Sequence, residues 1–374
     1  MKILIFIFLF QTLWYTANSQ SGDMQFHEVV LSEKKNKNKH LLKGFKKGLT
    51  ADPKQPNAYI DRGIVLLQLG KDEEAVKDFT AAINLDSTLV MAFYNRGLAN
   101  IGLTNLESAI EDFTRAIDLE PDFGPAYNNR GGTWINLNEF EKALNDLNHA
   151  TNLDSLDFKA INNRGFAKFK LMDYEGANAD YQKVLVLNPE HPIVYYNLAL
   201  LKEKSEDFQG AMTNVNRAII LDRKYADAFH LRGNILESQG HFEEAIKNYS
   251  KVIKLDPSHF EAYSNRGVAR VRSRRKDYKG SIKDFTKAIE LKPTEAIPYN
   301  NRGLSKANSG DFLGSLKDFE KAIELDPNYG FSYRNRGKSR VQLNQREEAC
   351  LDFLKALELG DPAGPDLLKQ YCDQ

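Results

Sequence analysis

Seven histidines, two cysteines and a row of evenly spaced asparagines are the residues here whose types could do chemistry. His27, His40, His149, His191, His230, His241 and His259 are scattered, and none stands at metal-ligand spacing with another His or Cys. No Gly-rich phosphate loop, HExxH, GxSxG or Cys-x-x-Cys occurs, so the expected catalytic, metal and cofactor sets are all empty and the chain reads as not an enzyme. The asparagines are different. Asn95, Asn129, Asn163, Asn197, Asn265, Asn301 and Asn335 recur in step, with Asp61 and Leu231 at the two remaining places. An amide is both donor and acceptor, so a row of amides suits recognition of a peptide backbone rather than catalysis.

The elements that carry this row are set by a period. Asn-Arg-Gly marks it, with glycines at Gly63, Gly97, Gly131, Gly165, Gly233, Gly267, Gly303 and Gly337. The interval is 34, apart from 68 across Ala199, where a glycine is missing, and 36 across an insertion around Val271–Asp277. Four residues before each glycine stands a ring (Tyr59, Phe93, Tyr127, Tyr195, Phe229, Tyr263, Tyr299, Tyr333), with Ile161 the exception. Twelve after it comes alanine or serine, and sixteen after it a large apolar residue such as Phe79, Phe113 or Phe319. Ring and glycine share a helix face. Small residues on two successive helices allow a close antiparallel approach, and a proline such as Pro121 or Pro257 ends the second helix. One such hairpin cannot bury its apolar face alone, so the units must stack.

This pattern resembles the tetratricopeptide-repeat family over more than four-fifths of the chain. The resemblance implies an all-α, right-handed superhelical solenoid, with first helices lining a concave groove and second helices outside. Counted from seven residues before each glycine, nine units follow: 56–89, 90–123, 124–157, 158–191, 192–225, 226–259, 260–295, 296–329 and 330–363. Residues 39–55 read as an N-terminal capping helix and 364–374 as a C-terminal one. The arginine before the glycine departs from the family, which usually has an apolar residue there. Fifteen after the glycine stands an acid (Asp78, Asp112, Asp146, Asp180, Asp318, Asp352, and Asp284 beyond the insertion), so arginine and aspartate read as a structural pair between the two helices. Asn214 and Asn248 are the exceptions, and Leu198 replaces the arginine in the fifth unit.

Residues 1–19 have a basic start, an apolar run from Ile3 to Phe10 and small residues before Gln20, the layout of a signal peptide cleaved between Ser19 and Gln20. Residues 20–38 read as a flexible leader, and the mature chain as exported, periplasmic or secreted, without membrane insertion. Lys+Arg and Asp+Glu are equal at 51 each, so no basic field for nucleic acid is present. The expected function is a non-enzymatic scaffold that holds a peptide or protein segment in its concave groove, through the asparagine row together with Tyr94 and Tyr196. The alternative is a structural part of a cell-envelope assembly, bound through the outer face. Three features each keep two readings. The asparagines either grip a ligand backbone or satisfy neighbouring repeats. Cys350 and Cys372 either form a bridge or remain two small buried thiols. The cluster Arg270, Arg272, Arg274, Arg275, Lys276 and Lys279 is either a solvated loop or a docking patch for an acidic partner.

Overall fold

The structure is a computed structural model that describes residue 38, residues 41–45 and 47–50, and residues 52–372. The expected signal peptide with its Ser19–Gln20 cleavage point, nearly all of the leader and parts of both terminal caps lie outside the described residues. The chain divides into two compact units, one ending at Val194 and the other beginning at Tyr195.

Every described element is a helix. The first unit runs α1 (Pro56–Gln68), α2 (Asp72–Leu85), α3 (Val90–Gly102), α4 (Leu106–Leu119), α5 (Gly124–Asn136), α6 (Phe140–Leu153), α7 (Phe158–Lys170) and α8 (Tyr174–Leu187). Helix α9 (Pro192–Lys204) spans the division. The second unit continues with α10 (Phe208–Leu221), α11 (Ala226–Ser238), α12 (Phe242–Leu255), α13 (Phe260–Arg272), α14 (Tyr278–Leu291), α15 (Ala296–Asn308), α16 (Phe312–Leu325), α17 (Gly330–Gln342), α18 (Arg346–Glu358) and the short α19 (Gly364–Tyr371). Helix starts follow local chemistry. Proline occupies the first turn of α1 and α5, and the Asp173, Asp207, Asp277 and Asp311 side chains each accept a hydrogen bond from the glycine N–H three residues on. Each hairpin turn passes through one left-handed residue, supplied by Gly70, Gly240 and Gly310 but also by Thr104, Met172 and Glu206.

Inside a hairpin the marker glycine is a contact point. A Cβ built on Gly63, Gly97, Gly131, Gly165, Gly233, Gly267, Gly303 or Gly337 would lie only 2.5–2.8 Å from the residue sixteen or eighteen further on. Those partners, including Phe79, Phe113, Tyr181 and Phe319, are fully buried. At Ala199 the missing space is restored from the other side, because the opposing residue is Val215 rather than a ring, and both are 0% exposed. Within each unit the first helices also touch first helices of adjoining pairs (α1 with α3, α3 with α5, α5 with α7, α11 with α13, α13 with α15, α15 with α17), whereas the second helices make no comparable contact with one another among the described residues. The first helices therefore form the tighter face of each unit.

Helix α19 covers the far end, with Leu367 buried against Ala349 and Phe353 of α18. Cys350 and Cys372 are bonded across this joint, their Cα atoms 5.8 Å apart and 22 residues apart in sequence. In the chain-entropy picture such a loop contributes about 3 kcal/mol. Reduction is expected to release residues 364–372 while leaving α1–α8 intact. Amide exchange before and after a phosphine reductant measures this, and two titratable thiols in the untreated protein would contradict it.

Candidate functional site

The arginine of each marker is tied to the aspartate on the second helix. Arg130 donates to Asp146 through Nε and Nη2, both at 2.7 Å, and the same two-pronged geometry joins Arg62 to Asp78, Arg164 to Asp180, Arg266 to Asp284 and Arg302 to Asp318. The third nitrogen reaches further. Arg96, Arg130, Arg266 and Arg302 donate from Nη1 to Thr80, Thr114, Ser250 and Thr286 on the preceding second helix, at 2.9–3.2 Å. One guanidinium thus fastens three helices, and the same group sits 5.2–5.7 Å from the ring three residues earlier in several repeats. The carboxylates are 3–8% exposed, so pairing is a condition of their burial. Most carry a second donor three residues beyond the glycine: Asn100 on Asp112, Lys168 on Asp180, Arg270 on Asp284, Lys306 on Asp318 and Arg340 on Asp352, at 2.8–2.9 Å. Sequence reading missed this second donor, although its spacing from the marker is constant. Where the aspartate is absent, Arg232 uses the amide oxygens of Asn248 and Asn216 instead, both at 2.8 Å.

Several members of the asparagine row bond to neighbouring repeats, one of the two readings given to it. Asn95, Asn163, Asn197 and Asn335 are only 3–8% exposed. Their side of the helix, opposite the glycine, faces a neighbouring first helix and not open solvent. The amides bond across that seam in a fixed register. Asn129 donates to Tyr94 Oη (2.9 Å), Asn163 to Asn128 Oδ1 (2.9 Å) and Asn335 to Asn300 Oδ1 (3.0 Å), while Asn265 lies 3.1 Å from His230 Nε2. Every one of these pairs is separated by 35 residues. Asn301 accepts from the adjacent Asn300, and Asn95 donates to the Met91 carbonyl one turn back. Tyr94 packs edge-on against Phe123, and Tyr196 lies against Tyr225, so both rings are partly consumed by packing. What stands clear of the seam lies to either side of it: Met91 (45% exposed) on α3, Ile297 (55%) and Leu304 (36%) on α15, and Phe331 (44%) on α17.

A connected polar group in the second unit lies on α11–α13. Tyr249 Oη donates into a pair of acceptors, Asn234 Oδ1 and Glu237 Oε2, each 2.9 Å away, and Asn265 donates to Asn234 at 3.1 Å. His230 sits 4.8 Å from the His259 ring, and burial, then the neighbouring His259, hold its imidazole down to about 4. His191, edge-on to Phe158, is likewise held by burial at about 4. Both are neutral in the folded state at pH 5, whereas an unfolded histidine titrates near 6.5 and is then protonated. Stability is therefore full above 6.5 and lost as pH falls toward 4, at roughly 2 kcal/mol per histidine by pH 5. Comparing urea midpoints at pH 7 and pH 5 checks this. His191→Phe should shrink the difference, and an unchanged difference would count against the account. Among the described residues no three or more His, Cys, Asp or Glu gather where a metal could be held. An open pocket on the flank of α5 and α6 is lined by Arg130, Trp134, Glu141, Lys142, Asn145 and Asp146, of which Arg130 and Asp146 are already paired.

Stacked antiparallel helix pairs with a small residue at each crossing define an all-α solenoid. The tetratricopeptide repeat model matches residues 56–89, 92–123 and 296–329, and a related TPR repeat model matches residues 233–273. Those stretches of the chain are tetratricopeptide repeats. Solved structures with similar folds include a tetratricopeptide repeat protein from Parabacteroides merdae ATCC 43184 (19% identity, 67% of this chain and 98% of that chain, TM-score 0.47). Others are Pseudomonas aeruginosa PilF (21%, 55% and 94%, TM-score 0.48) and YrrB, described as a TPR protein with an unusual peptide-binding site (26%, 50% and 96%, TM-score 0.39). No curated protein matches the chain.

Proposed function

We propose that this protein is an exported, non-enzymatic scaffold whose first-helix face holds a segment of a partner protein. The observation that carries this reading is a division of labour on that face. Four of the amides bond across the seams, while Ile297, Leu304 and Phe331 remain exposed on two adjacent first helices. Ile297 and Leu304 are seven residues apart and share one side of α15, so apolar side chains of a bound segment have a continuous surface to meet. No helix among the described residues is long and apolar enough to cross a membrane, in keeping with a partner met in solution. A second reading has its own support. Leu351 (66% exposed), Leu354 (47%) and Leu357 (39%) form a stripe on α18, a second helix, as attachment to an envelope assembly through the outer face would require.

Photo-crosslinking separates the two. A benzophenone amino acid replaces Phe331 in one variant and Leu351 in another, each expressed in the native host. A partner captured from position 331 and not from 351 supports the groove; the reverse result supports the outer face and sinks the groove. Mass determination of the purified chain tests export, with an N-terminus at Gln20 expected.

A further inference from the structure

The geometry points to the loop between α13 and α14 as a second, separate docking site, one that takes a short carboxylate-rich segment of a protein partner. All the other hairpin turns between paired helices have three residues, and this one, residues 273–277, has five. The two added residues build a protrusion of cations. Arg272, Arg274, Arg275, Lys276 and Lys279 are all exposed.

The loop is held in place while its charges are left over. Ser273 is 4% exposed and donates through Oγ to the Arg270 carbonyl; the Asp277 N–H donates to the same carbonyl at 3.0 Å, and the Lys276 N–H to the Ser273 carbonyl at 3.1 Å. The carboxylates nearby are already engaged. Asp277 caps α14 by accepting from the Gly280 N–H and stands 3.6 Å from Arg270. Glu243 accepts the Arg274 backbone N–H, and Glu237 accepts from Tyr249 and stands 3.7 Å from Arg272. Among the described residues no ion pair involves the side chains of Arg274, Arg275, Lys276 or Lys279. Four cations outside any ion pair, two of them with only the exposed Glu243 as a nearby counter-charge, on a backbone pinned from within are a preorganised surface for anions.

The size of the patch selects the partner class. A nucleic acid or an anionic bilayer is held by many cations spread over an extended face. Here the chain has equal numbers of acidic and basic residues, and Glu237 and Glu243 border the loop, so a long polyanion would be repelled just beyond it. A run of three or four Asp or Glu side chains fits within the patch.

Fluorescence anisotropy with a labelled peptide of four consecutive Asp/Glu residues flanked by Gly/Ser tests the assignment on the purified full chain. The wild type should bind it in a salt-dependent way and ignore an all-Gly/Ser peptide. The triple change Arg274→Ser, Arg275→Ser, Lys276→Ser should weaken binding about tenfold, and the single reversal Arg275→Glu should act in the same direction. Lys247→Ser with Lys254→Ser, on α12, should leave it unchanged. Absence of wild-type binding, equal binding by the triple variant at an unchanged thermal midpoint, or tighter loop-dependent binding to single-stranded DNA or phosphatidylserine vesicles would each overturn it. Phe331 variants should bind the acidic peptide normally, so this result stands or falls apart from the groove.

Discussion

Gly97→Ala is expected to destabilise the first unit by about 2 kcal/mol, even though alanine is the better helix former. The gain in helix propensity is worth about 1 kcal/mol. Against it, the new methyl group would stand 2.7 Å from Phe113 Cε1, and Phe113 is 0% exposed, so the ring has nowhere to go without moving α4. The fifth repeat shows how the same contact is relieved, with Ala199 facing Val215. Phe113→Val alone should cost about 2 kcal/mol or more through the cavity it leaves. Combined with Gly97→Ala, the loss should be smaller than the sum of the two singles by 1 kcal/mol or more, roughly the coupling seen between residues in contact. Urea unfolding followed by circular dichroism for the four proteins of the cycle measures this. Strict additivity would show that the ring and the glycine are not in the contact described.

Asp284→Ala should cost more, about 3 kcal/mol, because it strands Arg266 and leaves Arg270 only the more distant Asp277, 3.6 Å away. Arg266 and Arg270 both bond this carboxylate, and their side chains are only 14% and 22% exposed. Removing one partner of a buried pair leaves the other charge desolvated without compensation. Asp78→Ala, which releases Arg62 alone at 23% exposure, should cost less. Asp284→Asn should fall between wild type and alanine, since Arg232 and Asn248 show that an amide oxygen can take the Nε donor at 2.8 Å. Thermal midpoints of the three variants give the order, and an alanine variant no less stable than wild type would remove the three-helix fastening from the account.

The hairpins, their glycine crossings and the Arg–Asp pair were legible because each depends on residues sixteen apart, or eighteen across the insertion, inside a single repeat, where the chain itself fixes the geometry. The choice between the two readings of the asparagine row was out of reach of the sequence for a related reason. From one helix alone, a residue opposite the glycine looks free, and only the packing of α15 against α17 turns Asn335 toward Asn300. A signal was present in the pairing of Asn129, Asn163, Asn265 and Asn335 with a polar residue 35 places earlier, Tyr94, Asn128, His230 and Asn300. Read as single columns these positions vary, and as pairs they match donor to acceptor. The second donors on the aspartates, Lys168 and Arg340 among them, were hidden because Asn100, Lys168 and Arg270 look unrelated as residue types. The left-handed turn positions gave no warning either, since Thr104, Met172 and Glu206 are not the residues that conformation favours.

The 35-residue offset of the amide bonds has a consequence for how such a chain can lengthen by duplication. A tandem copy of residues 124–157 would set the copied Asn129 beside the original Asn128, donor against acceptor, and the seam would close as before. A tandem copy of residues 226–259 would set Leu231 beside His230 and leave the imidazole Nε2 without the amide that Asn265 now offers. Units of identical length are therefore not interchangeable parts. Each accepts only certain followers, and the order of repeats along this chain is a sentence with grammar rather than a string of equal beads.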